Sequence, residues 1–316
     1  MSRIISVCGA QLGPIARNEP RGSVVKRMVE LMREAKGRGC DLIVYPELAL
    51  TTFFPRWFIE DEEELDSYFE REMPSHDTQC LFEEAARLKM AFHLGYAELT
   101  QEEGRTRRYN TSILVDQSGR LMGKYRKIHL PGHAEYDSTR TFQHLEKRYF
   151  DVGNLGFGVW NLLGGLMGIL ICNDRRWPEA FRVLGLQGVE MVLIGYNTPA
   201  LNGQVFEPPH LRAFHNHLAM QAGAYQNGTW VVGVAKAGRE EGIDMLGRSV
   251  IISPNGEIVA QSVTLDDELI FARCDLNAGK YIKENTFNFA AHRRIEHYGL
   301  IVETTGVVPP RGNRPS

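Results

Sequence analysis

Cysteine is scarce here and carries no pairing pattern. Five cysteines, at 8, 40, 80, 172 and 274, are scattered over 316 residues with no Cys-x-x-Cys spacing, which argues against both a disulfide framework and a zinc ribbon. Charge of one sign is missing as well. The 36 Lys plus Arg stand against 39 Asp plus Glu, a formal net charge of -3, so no global field draws the chain to nucleic acid or to an anionic membrane surface. No apolar run is as long as a membrane span. The most apolar stretch, 157–172, is interrupted by Gly158, Asn161, Gly164, Gly165 and Gly168 and reads as a loop entering a buried strand. The first residues pass quickly from Ile4 and Val7 to Gln11 and Arg17, without the apolar core of a signal peptide. A reducing cytoplasm is the expected compartment and a small molecule the expected partner, with neither nucleic acid nor membrane.

What is present is enough to build a core. Hydrophobic residues make up 43% and charged residues 24%, the balance of a soluble globular domain rather than a disordered chain. Short apolar or alternating runs at 4–7, 42–45, 91–97, 112–115, 121–125, 167–171, 191–194, 230–234, 250–252 and 269–272 predict strands. Between them, Val24, Val25, Met28, Leu31, Met32 and Ala35 share one helical face ahead of Gly37 and Gly39. Helical patterns also cover 79–89, 179–186 after Pro178, and 211–225. Two hairpins, turning at Asp116-Gln117-Ser118-Gly119 and at Pro254-Asn255-Gly256, resemble each other and hint at an internal pseudo-repeat. The expected architecture is α/β, two facing sheets with helices on the outer faces. No linker divides the chain: a single domain is expected over 1–307, with 308–316 as a flexible tail.

Chemistry concentrates where a buried strand ends at Cys172 and a helix starts soon after, beside Arg175 and Arg176. Cations and a helix N-terminus lower a thiol's pKa, and the thiolate is the nucleophile, whereas Cys8, Cys40, Cys80 and Cys274 read as structural. A thiol nucleophile needs a proton acceptor and a stabiliser for the developing oxyanion. Glu47 follows the apolar run 42–45, and Lys124, Arg126 and Lys127 close another strand. Residue type alone does not separate these from ordinary loop charges.

The strings Tyr45-Pro46-Glu47, Gly123-Lys124-Tyr125-Arg126-Lys127-Ile128-His129-Leu130 and Ile171-Cys172-Asn173-Asp174-Arg175-Arg176-Trp177-Pro178-Glu179 resemble the three signature regions of the nitrilase superfamily of carbon-nitrogen hydrolases. Pro46 through Trp57, Phe142 through Phe150, Gly195-Tyr196-Asn197-Thr198-Pro199 and His297-Tyr298-Gly299-Leu300 are similar to the branch that acts on N-carbamoyl-D-amino acids. The resemblance implies a four-layer αββα sandwich assembled as a homodimer or homotetramer, and hydrolysis through a cysteine thioester with no metal or cofactor. It implies Glu47 as general base, Lys127 as oxyanion stabiliser, Cys172 as nucleophile and Glu146 as a second carboxylate steering Lys127 or the substrate.

For a substrate with an α-carboxylate, Arg175 and Arg176 offer planar forks, and Asn173, His144 and Asn197 match polar pocket positions. His129 and His215 match scaffold positions around the pocket. His210, His215 and His217 fit no zinc spacing, and 153–158 lacks the dinucleotide fingerprint, so it reads as a surface loop. Residues 53–58 read as core or subunit contact. The stretch 200–209 diverges from the branch's pattern, which leaves open a related ureido or amide substrate such as N-carbamoyl-β-alanine. A silent scaffold protein is the reading from a different class.

Overall fold

The computed structural model describes residues 2–201 and 207–309. The expected tail falls largely at 310–316, and part of the divergent stretch at 202–206, both outside the described residues. In chain order the first strands are β1 (Ile4–Gln11), β2 (Leu42–Val44), β3 (Ala91–Glu102), β4 (Arg105–Val115), β5 (Leu121–Arg126), β6 (Val159–Leu162) and β7 (Gly165–Ile171). They are followed by β8 (Met191–Tyr196), β9 (Trp230–Ala235), β10 (Ala237–Glu240), β11 (Ile243–Leu246), β12 (Val250–Ile252), β13 (Ile258–Gln261) and β14 (Glu268–Asp275). One sheet has the order β14-β1-β2-β3-β4-β5 and the other β13-β12-β9-β8-β7-β6, while β10 and β11 form a separate pair.

Each sheet is built on the same plan. Three central strands run parallel, β1-β2-β3 in one and β7-β8-β9 in the other. An antiparallel strand flanks one side and an antiparallel hairpin the other, β4-β5 and β12-β13 respectively. These are the two hairpins whose likeness is visible in the sequence, and they occupy matching places.

Alternation along the strands sets the layers. In β1, Ile5 and Val7 join the core between the sheets, together with Leu42, Val44, Ile169 and Val232. Cys8 and Ala10 join the opposite face with Ile43 and Tyr45. There they meet helices α1 (Arg21–Gly37) and, after the short α2 (Glu62–Ser67), α3 (Gln79–Leu88), whose buried faces carry Val24, Met28, Met32, Leu81 and Phe82. After the one-turn α4 (Glu146–Tyr149), α5 (Pro178–Leu186) and α6 (Pro209–Asn227) cover the other sheet through Phe181, Leu184, Met220 and Ala224. The result is a four-layer αββα sandwich. No helix among the described residues is long and apolar enough to cross a membrane.

Ten predicted strands and four predicted helices are present with modest changes of length. Two things differ. The segment 159–162 is strand β6, turning into β7 through Leu163 and Gly164 with φ of 52° and 74°; two successive positive φ values suit the twist of a tight hairpin. The glycines that suggested a loop serve that turn and the crowded face of β7. The β10-β11 hairpin went unpredicted because Ala237-Gly238-Arg239-Glu240 has no apolar alternation.

One buried group ties this core to pH. His93 in β3 is fully buried, its Nδ1 donates to Tyr45 O at 3.1 Å, and Nε2 has no hydrogen-bond partner among the described residues. Burial pushes it down to about 4, only partly opposed by the Tyr45 carbonyl. The unfolded chain therefore binds a proton near pH 6.5 that the folded one refuses until about 4. Stability from this group is complete above pH 6.5 and is lost as pH falls through that window, by about 3 kcal/mol. Urea titrations at pH 7, 5.5 and 4.5 are expected to show this loss, and it is expected to shrink in His93→Gln. Equal slopes in both proteins would contradict it.

Candidate active site

Four strand ends converge. Glu47 lies three residues past β2, Lys127 directly follows β5, Cys172 directly follows β7 and Asn197 directly follows β8. All four lie at carboxyl ends of strands, where α/β architectures collect ligand sites. The approach of Glu47 requires two glycines. A Cβ on Gly95 would stand 2.6 Å from Pro46 O and 2.7 Å from Glu47 Cα, and one on Gly195 would stand 2.3 Å from Glu47 N. Strands β3 and β8, one from each sheet, thus close on the Pro46-Glu47 segment from either side.

Cys172 has a φ of 47°, a left-handed conformation that costs a non-glycine residue about 1 kcal/mol or more. The turn is held by Asp174, which has no exposure. Its Oδ2 accepts from Ile171 N at 3.1 Å and from the Tyr125 hydroxyl at 2.8 Å, and its Oδ1 accepts from His129 N at 2.9 Å and Nδ1 at 2.8 Å. One carboxylate therefore fastens the end of β7 to the segment that follows Lys127.

At the centre Lys127 Nζ donates to Glu47 Oε1 at 2.6 Å and to Glu146 Oε2 at 2.5 Å, and all three side chains have no exposure. Glu47 also accepts from Asn110 Nδ2 at 2.7 Å and Asn197 N at 2.8 Å, and Glu146 Oε1 pairs with His144 Nε2 at 3.1 Å. Burial opposes the Lys127 charge, yet the carboxylates of Glu146 and Glu47 that pair with it compensate and hold the ammonium above the usual lysine range. Burial raises Glu47 above the ordinary carboxylate range despite Lys127. Glu146 moves the other way, because Lys127 and His144 overcome its burial.

Cys172 departs from expectation. Burial and the charge of Glu47 push its thiol up, against the smaller pull of Lys127 and Arg175. The cysteine opens a short 3-10 turn, Cys172–Arg176, and α5 begins only at Pro178, so helix-dipole help is weak. The thiol rests protonated, and its activation needs a base.

A cavity of about 120 Å³ opens on Cys172, lined among others by His144, Asn173, Arg176, Asn197, Thr198 and Arg212. Arg176 faces it with no hydrogen bond or ion pair among the described residues. Asn197 anchors Glu47 by giving its Nδ2 to Glu47 O at 2.9 Å, while its Oδ1 is buried without a partner among the described residues. Asn173 donates to His129 O at 3.1 Å.

Arg175 is a correction. It is 1% exposed and absent from the cavity lining. Its guanidinium donates to Asn216 Oδ1 at 2.6 and 2.9 Å, to Thr198 Oγ1 at 3.1 Å and to Cys172 O, and it lies 4.5 Å from the Tyr196 ring centre. It pins the cysteine turn to α6 rather than offering a fork to a ligand. His129 stacks on Trp177 with ring centres 5.1 Å apart, in keeping with a scaffold place. His215 is exposed and meets Glu207 at 2.7 Å, which in turn accepts from the cavity residue Arg212 at 3.1 Å. Phe53 and Phe54 are buried in an aromatic cluster with Tyr149 and Phe150.

Asn110, Asp174, Asn216 and Arg212 were missed by sequence reasoning. Asn110 sits inside a strand and Asn216 and Arg212 inside a helix, where nothing in spacing distinguishes them from ordinary polar positions. Asp174 is close to the nucleophile in the chain and could have been suspected from that alone.

The chain matches the carbon-nitrogen hydrolase family over residues 5–283. It belongs to that family. Among relatives of this hydrolase, the nitrilase of Pyrococcus abyssi (strain GE5 / Orsay) is 28% identical over 269 residues, covering 85% of this chain and 90% of that protein. The N-carbamoylputrescine amidase of Arabidopsis thaliana is 29% identical over 286 residues, covering 87% and 89%. A carbon-nitrogen hydrolase from Helicobacter pylori G27 superposes with a TM-score of 0.81 at 21% identity, covering 95% of this chain and 99% of that one.

The glycine pair gives the site a direct test. Gly195→Ala is expected to displace the Glu47 backbone, to cost about 1–3 kcal/mol of stability and to lower kcat by about 100-fold, since an ångström of misplacement is that expensive. Thermal unfolding and steady-state kinetics read both effects. A kcat near that of the parent protein would remove the clamp from the account.

Proposed function

We propose that this hydrolase cleaves the terminal carbon-nitrogen bond of N-carbamoyl amino acids, D-enantiomers first among them, to release ammonia, carbon dioxide and the free amino acid. The observation that carries the reading is the unpaired Arg176 guanidinium in the same small cavity as Cys172. It suits a ligand that brings a carboxylate as well as a ureido group.

The chemistry follows from the protonation states. Glu47, with its raised pKa, takes the proton of the protonated Cys172 thiol as sulfur attacks the ureido carbon. The ammonium of Lys127 stabilises the oxyanion of the tetrahedral intermediate. Its collapse breaks the bond to the terminal nitrogen, which leaves as ammonia with the proton from Glu47. Sulfur then carries the remaining carbonyl as a thioester. Water, deprotonated by Glu47, attacks that carbonyl, the carbon-sulfur bond breaks and the proton returns to Cys172. The carbamate set free loses carbon dioxide and leaves the amino acid. Glu146 keeps Lys127 charged and oriented throughout, and Asn197 lines the cavity that the ureido group would enter.

A second reading has support in the relatives. Several are N-carbamoylputrescine amidases, and a citrullinase of Francisella tularensis subsp. tularensis (strain SCHU S4 / Schu 4) is 32% identical over 171 residues, covering 53% of this chain. These names share the ureido group but not its tail. An ammonium tail would face Arg176 and Arg212, a repulsion that places cationic ureas below carboxylated ones.

A substrate panel decides between them. Release of ammonia from N-carbamoyl-D- and L-amino acids, N-carbamoyl-β-alanine, N-carbamoylputrescine and citrulline is expected to be fastest for a D-carboxylate compound. Arg176→Ala is expected to raise its KM by about 10- to 100-fold, the scale of a charged hydrogen-bonded contact. Preference for N-carbamoylputrescine, or an unchanged KM, would overturn the proposal.

A further inference from the structure

Arg212 is a second guanidinium in the cavity, and nothing in the sequence signatures points to it. It lies in the first turn of α6, is 7% exposed, and lines the cavity with Cys172 and Arg176. Its Nε donates to the carbonyl of Pro199, itself a cavity residue, at 2.8 Å, and its Nη1 donates to Glu207 Oε2 at 3.1 Å. The Nη2 edge makes no hydrogen bond among the described residues. Glu207 is held a second time, by His215 Nδ1 on its other oxygen at 2.7 Å.

Two guanidiniums in one small cavity repel each other, and both lie below the usual arginine range. Loss of hydration is the main cause for each, for the buried Arg212 and also for Arg176, which is exposed at the cavity mouth, with Arg175 adding like charge to both and Arg212 adding it to Arg176. Among the described residues Arg212 alone of the two forms an ion pair, with Glu207, and that carboxylate is shared with His215. An incoming carboxylate can therefore take one guanidinium on each oxygen, using the open edge of Arg212 and the unpaired Arg176. Glu207 keeps His215 as a partner when its hold on Arg212 weakens.

We propose that Arg212 and Arg176 form a two-armed clamp for the substrate's carboxylate, with Glu207 as a built-in competitor that sets how tightly Arg212 holds it. This rests on the reading that the substrate is an N-carbamoyl amino acid. It adds a specificity-determining residue, and it replaces the adjacent pair Arg175 and Arg176 with a pair drawn from two different elements.

The test compares N-carbamoylglycine with n-propylurea, two ureas of similar size that differ in the carboxylate. In Arg212→Gln the ratio of kcat/KM values for the two is expected to fall by about 10- to 100-fold, chiefly through the KM of N-carbamoylglycine. Arg212→Lys is expected to recover part of the loss. Glu207→Gln is expected to move the ratio several-fold in the opposite direction. Proportionate loss on both compounds, or an unchanged ratio, would overturn the clamp.

A second measurement separates this proposal from the one beneath it. If the parent protein hydrolyses no N-carbamoyl amino acid, the substrate reading fails by itself. The clamp is then read from iodoacetamide alkylation of Cys172. N-Carbamoylglycine is expected to slow alkylation in the parent protein and in Arg212→Lys, but not in Arg212→Gln. No protection of the parent protein, or equal protection of Arg212→Gln, would overturn it, and thermal unfolding of each variant reports whether the fold is kept.

Discussion

A lysine ammonium held between two carboxylates, out of contact with solvent, is the constraint on which the rest depends. Lys127 takes Glu47 on one side and Glu146 on the other, and a buried charge survives only with such compensation. Burial pushes the Cys172 thiol up, and the carboxylates that flank Lys127 add to that shift where a lone lysine would have opposed it. A carboxylate raised above its ordinary range thus lies in the same buried cluster as a protonated thiol and a fixed cation, the arrangement on which the proposed reaction rests. In the proposed reaction that cation needs no reorganisation at the moment of attack.

The two-sheet architecture is what makes such a trio possible. Glu47 and Lys127 come from the ends of one sheet and Cys172 from the end of the other, so the site spans the seam. The seam is held by contacts that do no chemistry: the glycines of β3 and β8 pressing on the Glu47 backbone, Asp174 joining the segments on either side, and Arg175 tying the cysteine turn to α6. Beside Cys172, Arg176 and Arg212 give the cavity a positive wall. In the proposed reading the groups that cleave the bond and those that choose the ligand lie on different elements, so one can vary while the other is kept.

Much of this is legible in the sequence. Strands that alternate or run apolar, such as 42–45, 91–97 and 191–194, announce themselves because both faces of each sheet are buried. The hairpins at 116–119 and 254–256 carry their own turn chemistry. Strands β6 and β10 do not, since glycine and charge mask them and only pairing to a neighbour makes them strands. At the site, Glu47, Lys127 and Cys172 stand out through their signature strings, and the structure brings them together. The direction of the Cys172 shift is not legible, because neighbours along the chain suggest a lowered thiol and burial decides otherwise. Arg175 and Arg176 look alike in sequence; the 3-10 turn sends one inward and the other to the cavity. Arg212 is invisible because its value depends on where α6 lies against the end of β7.

The central claim is that Cys172 bonds covalently to the carbonyl carbon within this trio. Rapid acid quench of the protein during turnover of a ureido substrate, followed by peptide mass spectrometry, tests it most directly. The account predicts one adduct, on Cys172, with the mass of the substrate less ammonia, and none in Cys172→Ala. Turnover persisting in Cys172→Ala, or an adduct on a different residue, would contradict it.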